Sequence, residues 1–139
     1  MNVERVFLDT NILVYSVDEN NPEKQIVARN IINELSSLRR GFVSTQVLQE
    51  FYNVLAKKMK CPRHRAKAFV ELVANSLHVH CNSVGDVLKA IDISNKNQFS
   101  FWDSLILSSA MAEGCTVLLT EDLNAGQIVN EMAIINPFA

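Results

Sequence analysis

Residues 6–15 read VFLDTNILVY, an apolar run that carries an acid, a hydroxyl and an amide at positions 9, 10 and 11. The residues before Asp9 have the character of a buried strand, and those after Asn11 begin the next element. A buried carboxylate without a partner is energetically costly. Asp9 must therefore face groups elsewhere in the chain that compensate its charge.

Further strands and helices follow this stretch in alternation. Strands are predicted at residues 3–8, 42–44, 78–81, 115–120 and 133–136. Caps and apolar residues with helical spacing predict helices after Asn21, over 45–59, after Pro62, after Ser83 and over 105–112. Gly41 and Gly114 are expected to end two of these helices. The pattern predicts an α/β fold, a parallel β-sheet flanked by helices on both faces in a three-layer, Rossmann-like arrangement.

The composition is that of an ordinary globular protein, which we expect to form one domain over residues 1–139. No stretch is apolar enough for a membrane span and the N-terminus lacks a signal-peptide pattern, so the cytoplasm is the expected location. Cys61, Cys81 and Cys115 are odd in number and lack C-x-x-C spacing, which indicates reduced thiols. The net charge of −2 argues against a protein that binds nucleic acid over its whole surface.

Positive charge is concentrated in one segment, residues 57–67 (KKMKCPRHRAK). Its cations are Lys57, Lys58, Lys60, Arg63, Arg65 and Lys67. Two interpretations of this segment are open: it is a solvated helix end and turn, or it is a patch that faces a polyanion.

Acidic residues follow two of the predicted strands. Asp9 comes directly after the first strand, and Glu121 and Asp122 come directly after residues 115–120 (CTVLLT). Because ligand sites of parallel sheets lie beyond the carboxyl ends of the strands, we expect both groups at one edge. The alternative is that each acid is a turn or cap residue, since Asp readily accepts hydrogen bonds from nearby backbone amides.

Two further acids lie on predicted helices. Asp103 is the third residue after Ser100, a spacing typical of a helix cap. The aromatic residues at 99, 101 and 102 are expected to hold that helix end against the sheet. Glu50 has core-like neighbours three residues before it and four residues after it, although exposure is the commonest explanation of a single helical Glu.

Convergence of Asp9, Glu50, Asp103 and Asp122 would require a cation. Carboxylates a few ångströms apart repel one another, and without help some would remain protonated. Oxygen ligands alone favour Mg²⁺ or Mn²⁺ over Zn²⁺. Since Mg²⁺ held by carboxylates readily takes phosphate oxygens, the chemistry that fits is hydrolysis of a phosphodiester.

A separate group, His78, His80 and Cys81, lies on one predicted strand. These side chains are of metal-binding type, but no further His or Cys cluster supplies the other ligands of a zinc site. We therefore interpret them as half-buried strand residues.

The order of the acidic motifs resembles a known family. The chain has D-T-N after the first strand, a Glu on the helix after residues 43–45, W-D at a helix start and T-E-D after a late strand. This order is similar to that of the PIN-domain ribonucleases, particularly the VapC-like toxins of type II toxin–antitoxin pairs. The resemblance covers essentially the whole chain. It implies a PIN-like fold, an endoribonuclease that depends on Mg²⁺ or Mn²⁺, an RNA substrate, a small antitoxin partner and a homodimer.

The resemblance also implies roles for individual residues. The metal-binding and catalytic acids would be Asp9, Glu50, Asp103 and Asp122. Glu121 stands beside Asp122 and is a candidate to substitute for it or to assist it.

Neutral and basic residues receive roles from the same resemblance. Asn11 and Thr120 would orient ligands or water, and Thr10 and Ser44 are weaker candidates for this role. Contacts to the RNA backbone are expected along residues 57–67, which begin about two helical turns after the catalytic Glu.

Three other functions are compatible with parts of the pattern. A haloacid-dehalogenase-type phosphatase also has an Asp after its first strand, but it usually has a second acid where this chain has Asn11. A non-catalytic PIN-like domain that binds RNA or another protein would keep the fold with an unused metal site. In a purely structural α/β module, each acid would be a cap or a surface charge.

Overall fold

The computed structural model describes residues 4–123 and 126–139. The strands are β1 Val6–Leu8, β2 Gly41–Ser44, β3 His78–His80, β4 Val117–Leu119, β5 Ile128–Val129 and β6 Met132–Ile135. The helices are α1 Thr10–Ser16, α2 Pro22–Leu38, α3 Thr45–Lys57, α4 Arg63–Ser76, α5 Val84–Asn97 and α6 Phe101–Ala112.

The strands form one sheet in the order β3-β2-β1-β4-β6-β5. All neighbouring pairs are parallel except β5 and β6, which are antiparallel. The chain builds outward from β1 through β2 to β3 and then returns to place β4 on the other side of β1. The strand order therefore reverses between β1 and β4, and the crevice at such a reversal is where ligands bind in sheets of this kind.

Helices flank the sheet in two groups. α1 packs on α2 and α3, and α3 packs on α4, whereas α5 and α6 pack on each other. The core includes fully buried apolar side chains from the two central strands and from α3, such as Phe7, Phe51 and Leu118. The predicted α/β fold with flanking helices is confirmed, and β5 is a short antiparallel addition that the sequence did not predict.

The predicted helix starts are largely confirmed. Pro22 is the first residue of α2, and Ser83 and Asp86 form a complete capping box at α5. α1 begins directly after Asp9, whose side chain caps it by accepting a hydrogen bond from the Thr10 backbone N–H. The apolar run after Asn11 is thus helical.

Gly41 does not end α2 as predicted. Arg39, in the left-handed region at φ 56°, is the C-cap of that helix, and Gly41 is instead the first residue of β2. A Cβ atom at position 41 would come within 2.6 Å of Leu77 Cδ2 and 3.0 Å of Leu35 Cβ. Close packing against these two leucines therefore favours glycine at this position.

Within residues 4–123 and 126–139, none of the helices has the length and apolar character that a membrane crossing requires.

Candidate active site

The polar residues after β1 and β4 meet at the crevice between these strands. Leu8 pairs with Leu119 in the sheet, so Asp9 and Thr120 emerge side by side. The Thr120 hydroxyl donates a hydrogen bond of 2.7 Å to Asp9 Oδ2, and the Asp9 backbone N–H donates to the Leu119 carbonyl at 3.0 Å. The register of two parallel strands thus fixes where the Asp9 carboxylate lies.

Asp9 is a buried acid with only neutral hydrogen-bond donors around it. Its exposed fraction is 7%, and its Oδ1 accepts a hydrogen bond of 2.7 Å from the Thr10 backbone N–H. Burial raises the pKa of Asp9 from its ordinary 3.8 to about 6, although the hydrogen bonds from Thr120 and Thr10 oppose this rise. The charges of Glu50 and Asp122 contribute smaller parts of this rise, so these two carboxylates lie close enough to repel Asp9.

Glu50 projects from α3 toward the same crevice. The Thr10 hydroxyl donates a hydrogen bond of 2.7 Å to Glu50 Oε1, and the Gln46 side-chain amide donates to Oε2 at 3.4 Å. Gln46 lies one helical turn before Glu50 and is itself 4% exposed. Glu50 is therefore oriented by two neighbouring side chains and is not an unconstrained surface acid.

Asp122 is joined to the D-T-N motif by the Asn11 side chain. Asn11 Nδ2 donates to Asp122 Oδ2 at 3.0 Å and contacts Thr120 Oγ1 at 3.4 Å. Asn11 Oδ1 accepts from the Glu121 backbone N–H at 3.3 Å, and Thr120 Oγ1 accepts from the Asp122 backbone N–H at 3.2 Å. Asn11 and Thr120 therefore hold the turn that carries the second pair of acids.

Asp103 reaches the crevice from the N-terminus of α6. Ser100 caps this helix, and its hydroxyl accepts a hydrogen bond of 3.1 Å from the Asp103 backbone N–H. Trp102, which was expected to pack against the sheet, is instead 62% exposed, while the partly buried Phe99 packs on the core. The helix start thus directs an acid and an exposed indole to the same region.

All four predicted acids line one open cleft of about 620 Å³, which Gln46, Lys58 and Trp102 also line. The carboxylates of Asp9, Glu50 and Asp122 nevertheless accept hydrogen bonds from different neutral donors. No three His, Cys, Asp or Glu side chains form a ready-made metal site in the part of the chain that the structure describes. The four acids thus line one cleft, but within the described residues no three of them are grouped closely enough to form a metal site.

The donor set fits a divalent cation of the hard type. Every acid in the cleft offers carboxylate oxygen, which suits Mg²⁺ or Mn²⁺. Burial of the ionised Asp9 carboxylate, with the smaller repulsion from Glu50 and Asp122, is unfavourable, and a nearby positive charge would relieve both. Asp9, Asp103, Asp122 and Glu50 are therefore the residues available to hold such an ion.

Glu121 also lines the cleft, but other side chains bind both of its carboxylate oxygens. Tyr15 donates to Oε1 at 2.6 Å, and the Lys24 ammonium pairs with Oε2. The Lys24 ammonium also lies over the rings of Tyr15 and Phe138. The hydrogen bond from Lys24, followed by that from Tyr15, lowers the pKa of Glu121. Glu121 ties the turn after β4 to α1 and α2, whereas Asp122 is bound to the D-T-N motif.

The basic segment divides into two sets of cations. Lys58 lines the cleft of the acids, and Lys58, Lys60 and Arg65 line an adjoining groove. The other cations of the segment, Lys57, Arg63 and Lys67, are exposed and line neither cavity. Only the first set is positioned to act together with the acids.

Ser44 and the two histidines lie apart from the cleft. Ser44 is fully buried, and its hydroxyl caps α3 by accepting from the Val47 backbone N–H at 3.3 Å. The exposed His78 ring stacks on Phe42, whereas the part-buried His80 contacts Asp86 and Glu113 at 2.7 and 2.6 Å. His80 thus serves an ion-pair network on the far side of β2.

Two cleft residues could not be assigned to the site from the sequence. Gln46 carries a weak signal, because its position four residues before Glu50 places both on one helix face. The exposure of Trp102 depends on how α6 meets the sheet, and no local pattern reveals it.

Known proteins share both the sequence pattern and the fold. A family model described as PIN domain matches residues 6–129. The ribonuclease VapC1 of Aquifex aeolicus (strain VF5) is 28% identical over 124 residues, which cover 88% of this chain and 84% of that protein.

Two solved structures are similar in fold. One is VapBC2 from Rickettsia felis bound to a promoter DNA fragment, with a TM-score of 0.70, 19% identity and coverage of 93% of this chain and 96% of that chain. The other is DNA-bound VapBC from Salmonella typhimurium, with a TM-score of 0.68, 22% identity and coverage of 95% and 97%. At these identities the likeness concerns the fold alone.

Proposed function

This chain belongs to the PIN domain family, and on that premise we propose that it is a metal-dependent endoribonuclease, the toxin of a type II toxin–antitoxin pair. We take residues 1–139 to act as a single nuclease domain. The observation that carries the proposal is the cleft at the strand reversal, which is lined by four carboxylates from four separate parts of the chain. The similarity to a ribonuclease over most of the chain further supports nuclease activity over a purely binding role.

The cofactor proposed is Mg²⁺ or Mn²⁺, held by Asp9, Asp103 and Asp122 with Glu50. When bound, such an ion would supply Lewis-acid chemistry at a phosphate oxygen and make water more acidic. Asn11 and Thr120 orient the acids through the hydrogen bonds described above. A cleft carboxylate accepts the proton of the attacking water, and phosphorus is attacked in line with the leaving oxygen.

Two surfaces support the proposed protein partners. An apolar groove of about 300 Å³ is lined by side chains of α2, α3 and α4, including Ile32, Phe51 and Phe69, and would accept a segment of an antitoxin. On α5, exposed apolar side chains recur with helical spacing and would meet a second copy in a homodimer. These are Val84, Val87, Leu88 and Ile91. An RNA target and a cognate antitoxin imply action in the cytoplasm.

The proposal is tested by incubating the purified protein with a panel of RNAs in Mg²⁺, in Mn²⁺ and in EDTA. Asp9→Asn and Asp103→Asn remove one cleft carboxylate each, and Asp92→Asn on the exposed face of α5 is the matched control. We expect cleavage by the wild type and by the control only when metal is present, and none by the two cleft variants.

Cleavage that persists in EDTA, or in both cleft variants, would contradict the metal–carboxylate mechanism. RNA that is bound but never cut under any of these conditions would instead favour the non-catalytic PIN-like alternative.

A further inference from the structure

Trp102 displays its indole in the cleft beside Asp103. It is the only tryptophan of the chain, it is 62% exposed, and it lines the same cavity as the four acids. Large aromatic side chains are usually buried for much of their area, because their removal from water is strongly favourable. An indole left open beside an acidic site is therefore available to a flat, apolar partner.

The backbone that carries Trp102 is fixed. The Trp102 carbonyl accepts a hydrogen bond of 3.1 Å from Gln46 Nε2, which also donates to Glu50. The Phe101 ring meets the indole edge to face with centroids 5.1 Å apart. Because the buried Gln46 amide connects the Trp102 carbonyl to Glu50, the backbone that carries the indole has a set position relative to Glu50.

Cations lie at the opposite end of the cleft. Lys58, the C-cap residue of α3, is twelve residues beyond Gln46, which is about 18 Å at the helical rise, and Glu50 lies between them. The adjoining groove of about 780 Å³ shares Lys58 with the cleft and adds Lys60 and Arg65. An aromatic surface at the Gln46 end of α3 and a basic groove at its Lys58 end therefore lie on opposite sides of Glu50.

This arrangement matches one class of nucleic acid. Without a metal ion the carboxylates repel phosphates, so in that state the attraction that holds an RNA strand must come from the flanking regions. Aromatic side chains stack on unpaired bases, whereas the bases of a duplex are stacked on one another and are not available. Lysine and arginine bind the phosphate backbone without reading its sequence.

Resting on the proposed nuclease function, we propose that Trp102 stacks on an unpaired base next to the scissile phosphate of single-stranded RNA. On the other side of the acids, the strand runs over Lys58, Lys60 and Arg65. Trp102 is thus a positioning residue for the base beside the cut, and a continuous duplex offers it no free base.

Fluorescence gives a test that does not depend on cleavage, because the intrinsic tryptophan emission comes from Trp102 alone. The Asp9→Asn variant in EDTA is titrated with a short single-stranded RNA, with an abasic strand of equal length and with a blunt RNA duplex. We expect saturable quenching by the base-bearing strand and little quenching by the other two. Equal quenching by the abasic strand or by the duplex, or no quenching at all, would overturn the proposal.

Substitution of Trp102 tests the same contact by affinity. In anisotropy measurements with a dye-labelled strand, Trp102→Ala should weaken binding roughly 5- to 150-fold, the range for loss of one stacked base. Trp102→Phe should retain most of the affinity because it keeps an aromatic face. If Trp102→Ala binds RNA as tightly as the wild type, the indole is a contact for something other than RNA and the proposal fails.

The path of the strand is tested with two triple variants of equal charge change. Lys58→Gln/Lys60→Gln/Arg65→Gln removes the groove cations, and Lys57→Gln/Arg63→Gln/Lys67→Gln removes the others. The first should reduce the slope of log affinity against log salt by roughly 2, the value for three phosphates on a single strand. If both triple variants reduce this salt slope equally, the proposed path of the RNA strand over the groove is wrong.

Failure of the stacking proposal is distinguishable from failure of the nuclease proposal. Quenching that requires bases, combined with RNA cleavage that survives Asp103→Asn, would reject the catalytic acids and retain the stacked base. If cleavage requires the acids but Trp102→Ala binds RNA as tightly as the wild type, the stacked base is rejected and the catalytic acids are retained.

Discussion

Neutralising Asp9 should stabilise the protein in the absence of metal. The pKa of Asp9 is about 6 in the folded protein and 3.8 ordinarily. At 1.36 kcal/mol for each pKa unit, ionised Asp9 opposes folding by about 3 kcal/mol at neutral pH. Asp9→Asn removes this charge while keeping the shape of the side chain.

Part of this gain in stability is offset, because asparagine makes poorer hydrogen bonds than aspartate at position 9. Asp9 accepts from the Thr120 hydroxyl and from the Thr10 backbone N–H, one on each oxygen. An asparagine turns an NH₂ group toward one of these donors, which costs about 1 to 2 kcal/mol. The expected net stabilisation is therefore about 1 to 2 kcal/mol above neutral pH.

The pH dependence has a definite sign. Because the folded-state pKa is raised, the folded protein binds the Asp9 proton at a higher pH than the unfolded chain does. The charge penalty of the wild type is full above pH 7, falls to about half near pH 5 and is nearly gone at pH 4. The advantage of the Asn variant should shrink over that range and then reverse, since the poorer hydrogen bonding remains.

Urea unfolding in EDTA measures this difference. At pH 7.5 the urea midpoint of Asp9→Asn should exceed that of the wild type, with an unchanged dependence of the unfolding free energy on urea concentration. At pH 4.5 the two midpoints should be nearly equal, or the midpoint of the wild type should be the higher one. Asp92→Asn serves as the surface control. An Asp9→Asn variant that is less stable than the wild type at pH 7.5, or a difference that does not vary with pH, would refute this electrostatic account.

Three further predictions concern residues around the site and the fold. Glu121→Gln should remove the pairing with Lys24, lower stability by less than about 1 kcal/mol and leave RNA cleavage within a few-fold of the wild type, as single-turnover assays would show. The stability lost by His80→Gln should be greatest near pH 6, and the difference from the wild type in melting curves should shrink as the pH rises through the folded-state pKa of His80. Burial opposes protonation of this ring, but its contacts with Glu113 and Asp86 raise the pKa of His80 overall, so its stabilising charge disappears on the alkaline side. Gly41→Ala should destabilise the fold by about 1 to 3 kcal/mol in urea melts, because the new Cβ would crowd two leucines, and an unchanged midpoint would contradict this.

The sequence predicts those parts of the fold and site that depend on strand order. Asp9 and Asp122 each follow an apolar run, and parallel pairing of these runs suffices to bring their turns to one edge. Complete caps such as Ser83 with Asp86 are likewise local, and the predicted box is present. Each cap and each strand end is recognisable from a few neighbouring residues, and the general geometry of parallel sheets then brings the strand ends to one edge.

Features that depend on packing between distant elements could not be predicted. The Gln46 amide reaches the Trp102 carbonyl across 56 positions of sequence, and neither residue shows a pattern that would reveal the contact. The pairing of Glu121 with Lys24 spans 97 positions and distinguishes it from its neighbour Asp122. The role of Gly41 arises from two leucine side chains on other elements and not from a turn.

The D-T-N motif explains why an apolar stretch contains three consecutive polar residues. Asp9 is itself a cleft acid, the Thr10 hydroxyl donates to Glu50, and the Asn11 amide donates to Asp122. One turn of chain therefore positions acids from a helix and from a distant strand end. These donors are neutral, however, and the pKa of Asp9 remains raised despite the hydrogen bonds that it accepts. Hydrogen bonding from neutral donors leaves the repulsion among these acids in place, and a divalent cation at the proposed site would supply a positive charge that these donors do not.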